Sequence, residues 1–471
     1  MSFWKGRVFR VRQARNLVPT LLGRVIFIGF SVQIILGILW AFFAMPGFRS
    51  FQDSFFYLEV SDTLVWDEYT GILYPLLLRF LRGGCSFLPF SYTLVLYLLQ
   101  LGAGFLAAAF LMESMWGAKG FWKIWGALVV LTVPVALLCH LSVLPLSPAG
   151  SCLMVQLACL CRIARRNPGK QDLLKLCILQ GVFCLLGGLF LPEYVIFGVI
   201  AALVTVIVCF HKKCYLGAAL LVLACLLSIG GNGLVRTPGA WGRMHRSAES
   251  MLFERVAYNH LREDSYVWPD GLEIFHQDLR LSGVNHKALD RRDIMGPMIE
   301  EQFGVEASKG KYLALTKLYW QIWSKEVLYQ IGWDAYGYFL PPPATGSIME
   351  GRGYYNFVAK NYDAFLGDAP WLASKTYGYY LAWFVPAVML SLVGIACLIW
   401  QKKPWKRQGF WRKMVLCPVC LICVGMVPLW YTLQPAGTMD EKNVFVYLGL
   451  WYACMAGVCI RILGREKESV K

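Results

Sequence analysis

Val25-Ile-Phe-Ile-Gly-Phe-Ser-Val-Gln33-Ile-Ile-Leu-Gly-Ile-Leu-Trp40-Ala-Phe-Phe-Ala-Met45 decides the fold class. The stretch carries no charge and is long enough, as a helix, to cross the ~30 Å hydrocarbon core of a bilayer. It lacks a small-residue cleavage site, so it reads as a retained first span and not as a removed signal. Ahead of it, residues 1–24 hold Lys5, Arg7, Arg10, Arg12, Arg15 and Arg24 and no acid. Such a run marks the cytoplasmic end of a membrane helix. The net charge of +16 is therefore read as a topology signal, and nucleic acid is not an expected partner.

The same texture continues through the chain. Of 471 residues, 57% are hydrophobic and only 16% are charged, and the mean hydropathy is +0.51. Soluble domains run nearer ~25% charged, which excludes a soluble or disordered protein. Apolar segments fall at 25–45, 92–112, 122–144, 147–164, 174–191, 194–210, 214–234, 378–400, 414–431 and 444–462. The fourth to sixth are short and open to merging or re-entry. With the N-terminus inside, each inside loop is basic: Lys119; Arg165, Arg166 and Lys170; Lys212 and Lys213; and Lys402 through Lys413. Residues 235–377 hold 16 Lys+Arg against 17 Asp+Glu and are nearly neutral. The alternation predicts an all-α polytopic membrane protein of about ten transmembrane helices, with both termini cytoplasmic.

The expected organisation is a basic cytoplasmic N-terminus over 1–24 and a first bundle over 25–234 with an exported loop at 46–91. A large, mainly helical exported segment of about 143 residues follows over 235–377, then three last spans and a basic tail over 378–471. Within the exported segment, Ser247 is placed to cap a helix over 248–261. Lys311–Ile331 reads as an amphipathic helix lying on the membrane, ended by Pro341-Pro342-Pro343. Nearly all of the 16 cysteines lie in or beside apolar segments and none falls in 235–377. Disulfides are therefore not expected. No Asn-x-Ser/Thr occurs, which favours a bacterial plasma membrane over a lumenal setting.

Chemistry-bearing residues concentrate in the first exported loop, Gln52-Asp53-Ser54-Phe-Phe-Tyr57-Leu-Glu59-Val-Ser-Asp62 and then Trp66-Asp67-Glu68-Tyr69-Thr-Gly71-Ile-Leu-Tyr74-Pro75. Its carboxylates stand among aromatics beside a membrane surface. An ionised acid at the end of a span is costly unless it is paired or used. It serves as a base toward a hydroxyl or as an oxygen ligand for a divalent cation; a solvated loop with acids at a helix start remains the plain alternative. Elsewhere, His140 is expected at the outer end of the third span and Glu193 in a tight outer turn, both read mainly as structural. The histidines show no HExxH spacing.

Asp53-Ser54-x-x-Tyr57 followed by Tyr69-Thr-Gly71-Ile-Leu-Tyr74-Pro75-Leu76-Leu77 resembles the first outer loop of the GT-C superfamily of membrane glycosyltransferases. The likeness covers about 35 residues, and Ser54 stands where that family often has an acid. It implies an enzyme that moves a sugar from a polyprenyl-phosphate donor to a glycan, lipid or protein acceptor on the extracytoplasmic face, with inversion. It further implies Asp53 as the base and Tyr57, Asp67, Glu68 and Tyr74 as substrate contacts. The lipid-phosphate leaving group needs positive charge, and Arg243, His245 and Arg246 after the seventh span are the candidates, with Arg79, Arg82, Arg236 and Arg255 as further positives. Magnesium or manganese held by Asp53, Asp67 and Glu68 is the cofactor these acids would admit, though no spacing decides it. Two other readings stay open. One is a lipid-linked glycan polymerase or ligase using Arg and His of the large loop. The other is a lipid or solute transporter, which the near absence of charge within the spans disfavours.

Overall fold

The computed structural model describes residues 2–48, 52–66, 71–87, 91–166, 168–192, 194–235, 267, 370–402 and 445–463. Among them there is no strand. The helices are α1 (Ser2–Ala44), α2 (Gln52–Thr63), α3 (Leu73–Gly84), α4 (Tyr92–Trp116), α5 (Phe121–Leu131), α6 (Pro134–His140), α7 (Leu146–Arg166), α8 (Lys170–Phe190), α9 (Tyr194–His211), α10 (Tyr215–Val235), α11 (Pro370–Lys402) and α12 (Phe445–Leu463). Five of these are long and apolar enough to cross a membrane, or six if the bent pair α5–α6 counts as one span. The protein is a helical membrane protein. The apolar segment 414–431 and the expected helices at 248–261 and 311–331 lie outside the described residues.

Helix α7 is the axis. Of its most apolar window 89% is buried, against 44% for α1, α4 and α8 and 29% for α11. It packs on α4, α8 and α9, while α1, α11 and α12 pack on one another. One rim of the bundle is basic. There Glu113 of α4 bonds Lys123 of α5 at 2.8 Å and lies 3.8 Å from Arg162 of α7, and Arg165 donates to the Glu113 carbonyl at 2.9 Å. These contacts join three helix ends where α4 stops and α5 begins.

The expected straight span over 122–144 is corrected. It breaks into α5 and α6, bent by 83°. Pro134 has no N–H to continue the α5 ladder, and Val133 before it is extended (φ −58°, ψ 124°), as a residue preceding proline prefers. Non-helical backbone at membrane depth survives only inside protein, and every residue from 132 to 160 is buried. The carbonyls freed by the break find side-chain donors. Gln33 of α1 donates to Val129 O at 3.3 Å, Gln100 of α4 to Ser142 O at 3.1 Å, and Ser142 to Leu138 O at 2.7 Å. The bend thus lies in the third segment, where α5 and α6 form a broken span or a re-entrant loop. The expected boundary at 378 also moves. Helix α11 begins at Pro370, and Leu372 and Ala373 join the buried core.

Candidate functional site

The first exported loop folds as α2 and α3, which lie over this buried elbow. Asp53 occupies the first turn of α2, where the open N–H groups favour an anion; its side chain lies outside the described residues. The next residue, Ser54, is fully buried and donates to the Val143 carbonyl at 2.7 Å. The start of α2 is therefore pinned to the loop between α6 and α7. One turn later, Tyr57 meets Tyr74 of α3 edge to face, with ring centroids 5.6 Å apart at 85°. Both rings belong to one cluster with Trp40, Tyr97, Leu138 and Val143. Tyr74 is wholly buried, with its hydroxyl beside Gln100, and burial pushes its phenol well above the usual value. It stays protonated and holds α3 against α4.

Gly71 allows α3 to approach the bundle. A Cβ there would lie 2.4 Å from the Phe190 carbonyl oxygen and 2.5 Å from that of Leu189, backbone atoms that cannot yield. Pro75 fits the first turn of α3, where its missing N–H has no helical partner to lose. At the other end of α2, Arg79 donates to the Asp62 carbonyl at 3.3 Å, and Arg82 pairs with the Asp62 carboxylate and the Ser61 hydroxyl. The Asp62 hydrogen bond holds the Arg82 guanidinium's pKa above its usual value. The two arginines tie α2 to α3.

Of the residues expected to act together, the structure brings Tyr57 and Tyr74 into contact and sets the Asp53 backbone in the same assembly through Ser54. Glu59 and Asp62 are exposed. Asp67, Glu68, Glu193, Arg236, Arg243, His245, Arg246 and Arg255 lie outside the described residues. Among the described residues no group of three His, Cys, Asp or Glu is arranged to hold a metal; the three acids considered for magnesium or manganese are not in that set. The cysteines among the described residues are free thiols.

His140 is not at the outer end of a span. Its ring lies against Gly104, midway along α4, where a Cβ would come within 2.5 Å of it. Gly104 is twelve residues past Tyr92, or about 18 Å along the helix at ~1.5 Å per residue. His140 Nδ1 and Ser147 Oγ share a hydrogen bond of 2.6 Å. Ser54, Gln33 and Gln100 were missed as positioning groups. Their signal was uncharged polarity inside or beside an apolar segment, which marks an interhelical contact. Comparison with protein-family models, with curated proteins and with solved structures finds no match to this chain.

Proposed function

We propose that the protein is a membrane glycosyltransferase of GT-C type, working on the extracytoplasmic face of a bacterial plasma membrane. In this reading there are ten spans, both termini are cytoplasmic, and 235–377 is exported. The observation that carries the proposal is the mounting of α2. Ser54 fixes the helix start that bears Asp53 to a fully buried elbow, and the Tyr57–Tyr74 contact fixes the next turn. A base must be held within hydrogen-bond reach of the hydroxyl it serves, and a rigidly seated helix N-terminus supplies that.

The Asp53 carboxylate takes the proton of an acceptor hydroxyl. The oxygen forms a bond to the anomeric carbon as the bond to the carrier phosphate breaks, with inversion, and polyprenyl phosphate leaves. Arg243, His245 and Arg246 meet the charge that develops on the leaving phosphate, with magnesium or manganese at Asp53, Asp67 and Glu68 if the transfer is metal dependent. Tyr57 and Tyr74, buried as they are, position α2, and Asp67 and Glu68 contact the substrate.

The test is Asp53→Asn in the full chain, reconstituted in nanodiscs with labelled polyprenyl-phosphate sugars. Removing a general base costs roughly 10²–10⁴-fold, so transfer should fall at least a hundredfold while insertion and yield stay native. Near-native turnover in that variant would remove Asp53 from the mechanism. If transfer survived that change and was lost on altering Arg243, His245 or Arg246, a polymerase or ligase would replace the present reading. Vesicle transport with no sugar transfer would indicate a transporter.

A further inference from the structure

Helix α3 runs between two span ends on the rim opposite the basic one. Near its start, Gly71 abuts the last carbonyls of α8, at Leu189 and Phe190. Near its end, Arg82 lies over the ring of Tyr92, the first residue of α4, with 5.9 Å between guanidinium carbon and ring centroid. Helix α4 ends and α8 begins on the basic rim, so both anchors of α3 belong to the other side. Twelve residues give about 18 Å of helix, laid along that rim.

One face of α3 is spent on the bundle: Tyr74, Pro75, Leu78 and Leu81 are buried. On the other face no described residue covers the side chains. Phe80 is 74% exposed, Leu76 39%, and Phe87 in the short 3₁₀ turn after α3 91%. Arg79 is exposed and donates to the backbone carbonyls of Ser61 and Asp62. Among the described residues it pairs with no carboxylate.

The geometry points to this face as a docking surface for the phospholipid headgroups of the leaflet on that rim. Phe80 and Phe87 enter the boundary between headgroups and acyl chains, and Arg79 meets lipid phosphate. Two large rings left in water are unfavourable, and the same rings at the headgroup level are at home. A guanidinium that meets no acid among the described residues matches phosphate by charge and by its forked donors. The surface lies on the same two-helix cap that seats Asp53, so contact with lipid would set that cap's height at the membrane. The inference stands on exposure and placement and does not depend on sugar transfer.

Benzoylphenylalanine placed singly at Phe80, at Phe87 and, as a lipid-facing reference, at Phe42 of α1 (71% exposed) tests it. The full chain is irradiated in phosphatidylglycerol nanodiscs and its adducts are identified by mass spectrometry. Phospholipid adducts are expected at all three positions. Arg79→Gln should lower the yield at position 80 by about two-fold or more, since one basic contact at the surface is lost, and leave position 42 unchanged. Adducts at 80 and 87 to another part of this chain, to a second copy, or to nothing while position 42 reacts would overturn the assignment.

Discussion

Ser54 shows what one hydroxyl does in this protein. It is buried and donates to a backbone carbonyl, Val143 O. Replacement by alanine leaves that carbonyl without this donor in a place water does not reach. An unsatisfied buried group costs about 1–3 kcal/mol in water-soluble proteins, and interhelical bonds in membranes average nearer 0.6. Ser54→Ala should therefore lower stability in a detergent-denaturation series by roughly 1 kcal/mol. Ser54→Asp should cost more, because a carboxylate would face a carbonyl oxygen with no proton between them. Equal stability of the three proteins would mean that the bond carries nothing. An acid at position 54 does not fit here for the same reason. That reason was not legible in the sequence, since residues 54 and 143 are 89 apart and only the fold joins them. Tyr57 and Tyr74 were legible as candidates because both sit in the quoted motif. Their wholesale burial was not, because local sequence does not show which neighbours will cover them.

Among the elements, the elbow is the feature that local pattern hides. Every turn of 122–144 is apolar enough to read as one span, and Pro134 alone is ambiguous. Pro19 and Pro386 lie inside α1 and α11, which run on through them. The difference lies in the partners. Around Pro134 the freed carbonyls meet Gln33 and Gln100, from helices far off in sequence. The break is thus held by side-chain donors as much as by the ring. Pro134→Ala should leave the bend in place at a cost of about 1 kcal/mol or less, since alanine is also accepted in the first turn of a helix. Gln100→Leu leaves Ser142 O with the Leu144 N–H alone and should cost more than the proline change, about 0.5–1.5 kcal/mol. The same denaturation series checks both. A larger loss from the proline change than from the glutamine change would show that the proline alone sets the bend. By contrast the long apolar runs of α1, α4 and α8 are readable at once, because length and apolarity suffice to define a span.

At the scale of the molecule, the elbow changes what the charge alternation implies. Reading 122–144 and 147–164 as two ordinary spans puts residues 145–146 in a turn open to the outside. In the structure residues 141–151 are buried without exception, and Gln100, which bonds Ser142, lies eight residues inside α4. That is about 12 Å below the helix start at ~1.5 Å per residue. The chain turns under protein cover between α6 and α7. Three engineered thiols separate the possibilities: Leu144→Cys in the turn, Phe87→Cys in the 91% exposed position on one rim, and Lys119→Cys on the basic rim. Intact cells or oriented vesicles are treated with a membrane-impermeant maleimide, and each site is read by peptide mass spectrometry, so the native thiols do not interfere. Position 87 should label from the exported side and position 119 only after the membrane is opened. Position 144 should stay unlabelled in both cases, because no water path meets a residue that is 1% exposed. Labelling at 144 as fast as at 87 would place the turn at the surface, restore a straight third span, and leave Ser54 with no buried carbonyl to hold.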